Sequence, residues 1–307
     1  MTFGDQNKKI LIIKLGAMGD VVRTTPLLRV LKGKIFWVTK KECLPLLPSH
    51  IKVIDFEKDK RLCFDIYFDL VLSLDEDYQA AKLASEVKKK ELIGVFVDSK
   101  GELKYTESSA EWFDMSLISK YGKEKADELK KKNTKTWQEI LFNMLGLKFN
   151  GEEYLINIPV QCYSKQYNDK FIIGLENRAG DRWPTKVWNK FYELSLLLKS
   201  DGYECRFFQN RDNIYDYIKD IAECSLIVTP DTLTLHLALA LRIPTVGIFT
   251  CTSPTEIYGY GRLIKIVSPL LHKAFYKTDY IHDAVDAISL DSVYKAVKSL
   301  LNKKIKK

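Results

Sequence analysis

The chain is poor in the residues that mark unusual proteins. Nine Pro and fifteen Gly in 307 residues exclude a collagen-like or low-complexity chain. Six cysteines stand at 43, 63, 162, 205, 224 and 251, none in CxxC spacing, and of the four histidines only His50 lies close to one of them, Cys43. A metal site is therefore not expected, and the thiols read as reduced and mostly buried. No apolar run approaches the roughly 18–20 residues needed to span a bilayer. The polar stretch 1–9 lacks the apolar segment and small-residue cleavage site of a signal peptide, so a cytoplasmic protein is expected.

What is present is ordinary globular material. Hydrophobic residues make up 46%, which excludes wholesale disorder. Lys and Arg number 48 against 40 Asp and Glu, a net +8 that suits an anionic substrate, a lipid surface or nucleic acid. No recognisable nucleic-acid module accompanies the charge, so nucleic acid is not expected as a partner. At roughly 100–200 residues per domain, the length predicts about two domains.

Short β-branched runs alternate with helical patterns. Lys9–Leu15 (KILIIKL) reads as a buried parallel strand, followed by the turn GAMGD and a helix over 21–31. Pro26 either kinks that helix or, with Thr25 as cap, opens it. Strands are expected at 35–39, 52–55, 70–74 and 92–96, with helical segments at 42–47 and 77–85. The stretch 111–145 reads as helical throughout, its lysine-dense middle as a solvated face. Residues 157–170 have no apolar period and read as a linker. The rhythm then restarts, with strands at 171–175, 204–209, 225–229 and 245–249. Helices are expected at 188–199, 213–222, 231–241 and 291–301. This predicts an α/β protein of two Rossmann-like, doubly wound parallel-sheet domains, 1–160 and 161–307, facing a central cleft. The last helix is able to pack back on the first domain.

Asp20 sits after a strand and a Gly-containing turn, where a carboxylate is stabilised by a helix start and can act as a base. The alternative is a simple helix cap. Gly16 and Gly19 permit close backbone approach, but GxxG is not a dinucleotide fingerprint. In TPDTLTLH a strand ends at Pro230, and Asp231 or Thr232 caps a helix on which Thr232 and His236 share one face. That arrangement suits a diphosphate, and equally a capped core helix with a buried histidine. The loop RAGDRWPTK brings Arg178, Arg182 and Lys186, as loops closing on phosphates do.

These segments, in order, resemble glycosyltransferase family 9, the ADP-heptose:lipopolysaccharide heptosyltransferases. ILIIKLGAMGDVVRTTPLLRVLK is similar to the family's opening motif, and FDLVLSLDEDYQAAKLA and ELIGVF to its next segments. NRAGDRWPTKVW resembles its "NtGAgxrWPtKxW" loop, and SLIVTPDTLTLHLALALRIPTVGIFTCTSPTEIYG its "DSGxxH" region. The resemblance implies a GT-B fold and an inverting, metal-independent transferase without cofactor. It would move heptose or a related sugar from ADP-heptose or another nucleotide sugar to a lipid-linked saccharide such as a lipopolysaccharide core, at the anionic inner face of the cytoplasmic membrane. Asp20 would be the general base, with Gly16, Gly19 and Arg23 lining the acceptor side. Arg182, Lys186, Asp231, Thr232, Leu233 and His236 would hold the donor nucleotide and diphosphate. Three positions depart from the family: Leu233 replaces a Gly, Arg178 a small residue, and Thr250-Cys251 the Gly-Pro of the "FGpT" loop. These changes leave open a nucleotide-sugar-binding protein with altered or lost transfer.

Overall fold

The structure, a computed structural model, describes residues 7–159, 162 and 171–305. The expected linker at 157–170 lies mostly outside them, as do Lys306 and Lys307. The chain divides into two compact units, 1–157 and 158–307.

The first unit carries strands β1 (Lys9–Ile13), β2 (Lys34–Thr39), β3 (Lys52–Asp55), β4 (Leu70–Ser73), β5 (Leu92–Val97) and β6 (Leu103–Tyr105), in the order β3-β2-β1-β4-β5-β6. Its helices are α1 (Met18–Thr24), α2 (Tyr78–Glu86), α3 (Ala110–Phe113), α4 (Lys123–Lys132) and α5 (Trp137–Asn143). Every pairing is parallel except β5 with β6, an antiparallel edge that the alternation of strands and helices does not reveal. KILII is buried beyond Lys9 because both sheet faces are covered. Ile10 and Ile12 pack on one face with Trp37 and α5 residues Trp137 and Ile140. Leu11 and Ile13 pack on the other with Phe36, Phe68 and α2 residues Ala80 and Leu83. Each large aliphatic side chain so buried contributes about 1.5–3 kcal/mol. Gly94 in β5 is obligatory: its φ is 109°, and a Cβ there would stand 1.9 Å from the Ser73 carbonyl oxygen.

Two helix expectations are corrected. The segment 21–31 is not one helix: α1 ends at Thr24, and a 3₁₀ turn over Thr25–Arg29 holds Pro26 near its start, where no N–H is needed. The segment 111–145 is broken into α3, α4 and α5. Gly122, with φ 79°, precedes α4, and a capping box of Thr136 and Glu139 opens α5. Residues 41–46 form a 3₁₀ turn around Pro45.

The second unit carries β7 (Ile172–Leu175), β8 (Glu204–Phe207), β9 (Leu226–Pro230), β10 (Thr245–Phe249) and β11 (Leu263–Val267), all parallel, in the order β11-β10-β9-β7-β8. Its helices are α6 (Phe191–Ser200), α7 (Ile214–Ala222), α8 (Leu233–Ala240), α9 (Leu271–Ala274), α10 (His282–Asp286) and α11 (Leu290–Ile305). β11, α9 and α10 extend beyond the elements read from sequence. α11 lays Val293, Val297 and Leu301 into the core of this unit, against α6 residues Leu194 and Leu198. Cys43, Cys63, Cys224 and Cys251 are buried and free. Burial pushes Cys251 up to about 11 and Cys224 up to about 12, so these thiols stay protonated and inert.

Candidate functional site

In a doubly wound sheet the strand order reverses between two neighbours whose connections leave on opposite faces, opening a crevice at their carboxyl ends. In the first unit this point lies between β1 and β4. Lys14 follows β1 there and is only 9% exposed. Its Nζ lies 3.3 Å from Asp75 Oδ2, which also accepts from the Leu15 N–H at 2.9 Å. Neither residue stands out in the sequence reading. The available signal is a lysine inside an otherwise apolar run.

α1 starts at Met18, with Ala17 at the cap position and no side chain bonding the helix end. Asp20 therefore does not cap the helix. Its Oδ1 lies 2.9 Å from Arg23 Nη2, with 37% of the Asp20 side chain exposed against 13% for Arg23. The Arg23 guanidinium is set 5.1 Å from the Trp137 ring and 5.7 Å from the Trp112 ring, so the cation is fixed by packing while the carboxylate reaches solvent. Gly19 lies inside α1, and a Cβ on Gly16 would meet nothing within 4 Å.

Glu76, the residue after Asp75, is a further group that sequence reasoning missed. Burial pushes its carboxyl above the usual range, opposed by a hydrogen bond with Ser116 and the charges of Lys130 and Lys14. Lys130 also stands 5.0 Å from the Trp112 ring. Part of the lysine run therefore turns inward, which corrects its reading as a wholly solvated face.

In the second unit the order reverses between β7 and β9. β9 ends at Pro230, and α8 starts at Leu233, two residues later than expected. Thr232 occupies the cap position, but its hydroxyl lies 3.2 Å from that of Thr229 and does not bond the helix end. Lys186 Nζ donates to the Asp231 carbonyl oxygen at 2.6 Å and lies 3.4 Å from its Oδ2. His236, buried, has Nε2 3.9 Å from Asp231 Oδ1. A cation and an imidazole thereby flank one carboxylate beside the start of α8. Such a set can take up the charge of a diphosphate.

Lys186 is held in place by its own loop. Thr185 Oγ1 donates to the Asp279 carbonyl and accepts from the Ile281 N–H, both at 3.0 Å. The Thr250 hydroxyl donates to the Thr185 carbonyl, so the residue that departs from the family's Gly fastens the lysine loop. Leu233, the first residue of α8, is half-buried. Arg182 stands apart from the cluster, exposed, with its guanidinium 5.0 Å from the Trp183 ring.

The resemblance read in the motifs recurs in two comparisons. The sequence model of glycosyltransferase family 9 (heptosyltransferase) matches residues 212–280, which hold Asp231, Thr232 and His236. No curated protein sequence matches the chain. Among solved structures, a family 9 glycosyltransferase from Veillonella parvula DSM 2008 aligns with TM-score 0.68 at 17% identity, over 96% of this chain and 98% of that one. The E. coli heptosyltransferase WaaC with ADP aligns with TM-score 0.64 at 16% identity, over 95% and 99%. The E. coli ADP-heptose lps heptosyltransferase II aligns with TM-score 0.61 at 15% identity, over 96% and 99%. At such identities these are likenesses of fold. Together they define a GT-B-like pair of α/β units, the second of which carries the family 9 match.

Proposed function

We propose that the chain is an inverting glycosyltransferase moving a heptose, or a related sugar, from ADP-heptose or another nucleotide sugar to a lipid-linked saccharide such as a lipopolysaccharide core. The observation that carries this reading is the Lys186–Asp231–His236 cluster at the start of α8, of which Asp231 and His236 lie inside the family match. WaaC, similar in fold, has been solved with ADP. In this mechanism Asp20 accepts the proton of an acceptor hydroxyl as its oxygen attacks the anomeric carbon. The bond from that carbon to the diphosphate oxygen breaks on the opposite face, inverting the configuration. Lys186 and the α8 N–H groups take the charge that develops on the departing nucleoside diphosphate.

The test is incubation with a panel of nucleotide sugars, with and without a lipid-linked acceptor, following released nucleoside diphosphate and glycosylated product. Release that depends on acceptor supports transfer, whereas binding without release leaves a nucleotide-sugar-binding protein. That second reading draws on Leu233, whose side chain stands where the family's Gly leaves room for phosphate. Because Lys186 and the helix start carry the charge in this mechanism, no metal is required. Turnover in excess EDTA should therefore equal turnover without it, and a loss restored by added divalent ion would overturn that assignment.

The acceptor places the protein at the cytoplasmic face of an anionic membrane, held by charge and not by insertion. Among the described residues no helix is long and apolar enough to cross a bilayer. Residues 120–135 hold seven lysines against three carboxylates. Lys120 and Lys135 are further paired with carboxylates outside the run, Asp114 and Glu111, which leaves a smaller charge to act at a surface. Each Lys near an anionic surface contributes about 1 kcal/mol, fading over a Debye length of roughly 8–10 Å. Co-sedimentation with anionic vesicles should be appreciable at low salt and largely lost near about 0.5 M. Binding that persists in high salt, or equals that on neutral vesicles, would point to apolar insertion.

A further inference from the structure

A buried ionic network beside the cluster has no part in the mechanism above. Glu176 follows β7 and is only 3% exposed. Its carboxylate is held by Arg178 at both oxygens, Nε to Oε1 at 2.8 Å and Nη2 to Oε2 at 2.9 Å, and by the Arg178 N–H at 3.0 Å. The Tyr217 hydroxyl of α7 donates to Oε2 at 2.5 Å. Thr234, in the first turn of α8, lies 2.6 Å from that hydroxyl and 3.3 Å from Oε2. Arg178 Nη1 reaches Asn210 Oδ1 at 2.5 Å, fastening the loop after β8 to the same centre. Burial and the neighbouring carboxylate push the Tyr217 phenol upward, so it remains a donor to Glu176 throughout the working pH range.

The sequence of α8 explains why such a network matters. LTLHLALA is apolar on every side, and residues 234–239 are all buried. A helix with one apolar stripe is oriented by that stripe. One that is apolar all round is held in the core by non-directional burial, which fixes its rotation about its own axis weakly. The directional contacts are those of its two polar interior side chains, Thr234 and His236. His236 faces Asp231, and Thr234 faces Glu176 and Tyr217.

We propose that Glu176, Arg178, Tyr217 and Thr234 are positioning residues that set the rotation of α8, and so aim its first N–H groups and His236 at the donor diphosphate. Arg178 stands where the family motif has a small residue, so its part in the network departs from that motif. The inference rests on the functional reading given above.

Thr234→Val keeps the side-chain shape and removes the hydroxyl. ADP, UDP and GDP are titrated into the wild-type chain, and the tightest is carried forward to the variants. For Thr234→Val we expect its Kd, and the donor KM, to rise by about 3- to 30-fold. Turnover at saturating donor should fall as well, because the same N–H groups take the charge that develops on the departing diphosphate. Thr234→Ser restores the hydroxyl and should return Kd to within about twofold of wild type. Glu176→Gln should raise Kd in the same direction, and in combination with Thr234→Val its effect should be less than additive. A merely structural network would lower the melting temperature of Thr234→Val and leave the Kd of the folded protein unchanged, and that result overturns the proposal. A wild type that binds none of the three nucleotides removes the functional reading and this inference together. Binding by wild type with an unaltered Thr234→Val removes this inference alone.

Discussion

Asp20→Asn is expected to lower turnover by about 10²–10⁴ while leaving nucleoside diphosphate affinity within about twofold of wild type. The substitution keeps the volume of the side chain and an oxygen that can still accept from Arg23 Nη2, which lies 2.9 Å from Asp20 Oδ1. Arg23 packs against the adjoining Trp112 and Trp137 rings independently of Asp20, so the local packing should survive. What the amide loses is basicity. An acceptor hydroxyl must surrender its proton as its oxygen attacks, and an amide cannot take it. The donor cluster lies in the other compact unit, which is why affinity and turnover should separate. Steady-state transfer assays and a calorimetric ADP titration on the same preparation test this. Turnover of Asp20→Asn within about threefold of wild type would remove Asp20 from the base role, because general-base catalysis contributes far more than that.

The parallel sheets were readable because their strands are continuous apolar runs bounded by charge or Gly. KVID and TVGIF form strands over the same residues the sequence suggests. Other boundaries were lost where local chemistry overrides periodicity. The Thr136–Glu139 capping box is visible as T-x-x-E, yet the apolar residues around it suggest a continuous helix. β6 and β11 are three and five residues long with no fully buried position, so neither gives a strong apolar signal. α8 has no amphipathic pattern from which to place its start, and Pro230 with the Thr229–Thr232 contact delays it to Leu233.

Site residues that are close in sequence were legible, and those assembled across strands were not. Asp231, Thr232 and His236 fall within six residues, and the structure keeps them together. Lys186 joins them from 45 residues away through a loop whose WPTK pattern marks it in the sequence. Asp75 meets Lys14 across 61 residues, and only the β1–β4 register shows that pairing. Glu176, Tyr217 and Thr234 belong to three separate elements, and nothing in their local spacing connects them. Arg178, visible in sequence as a departure from the family, has its explanation only in the buried carboxylate two residues before it.

Lys186→Met should weaken ADP binding by about 10- to 150-fold. In the free protein Lys186 Nζ is bound to the Asp231 carbonyl and lies 3.4 Å from its carboxylate. Methionine keeps an unbranched stem of comparable reach and removes the cation. A charge-assisted hydrogen bond contributes about 1.5–3 kcal/mol, and about 1.4 kcal/mol is a factor of ten in affinity. The loss has a second source. The Asp231 carboxylate remains at the start of α8 with its cation gone, and it repels a diphosphate brought to the same N–H groups. Lys186→Arg retains the charge but spreads it over a planar fork, so partial retention is expected. His236→Gln should weaken ADP by a smaller factor, about 2- to 12-fold, because a neutral hydrogen bond contributes about 0.5–1.5 kcal/mol. Adenosine, which has no phosphate, should bind wild type and Lys186→Met alike, since the difference resides in the diphosphate. The measurement is calorimetry with ADP and adenosine on wild type and the three variants, each first shown to be folded by thermal melting. ADP affinity of Lys186→Met within about twofold of wild type would move the diphosphate away from α8, and equal losses for ADP and adenosine would mean that the variant has deformed the pocket instead of removing a charge.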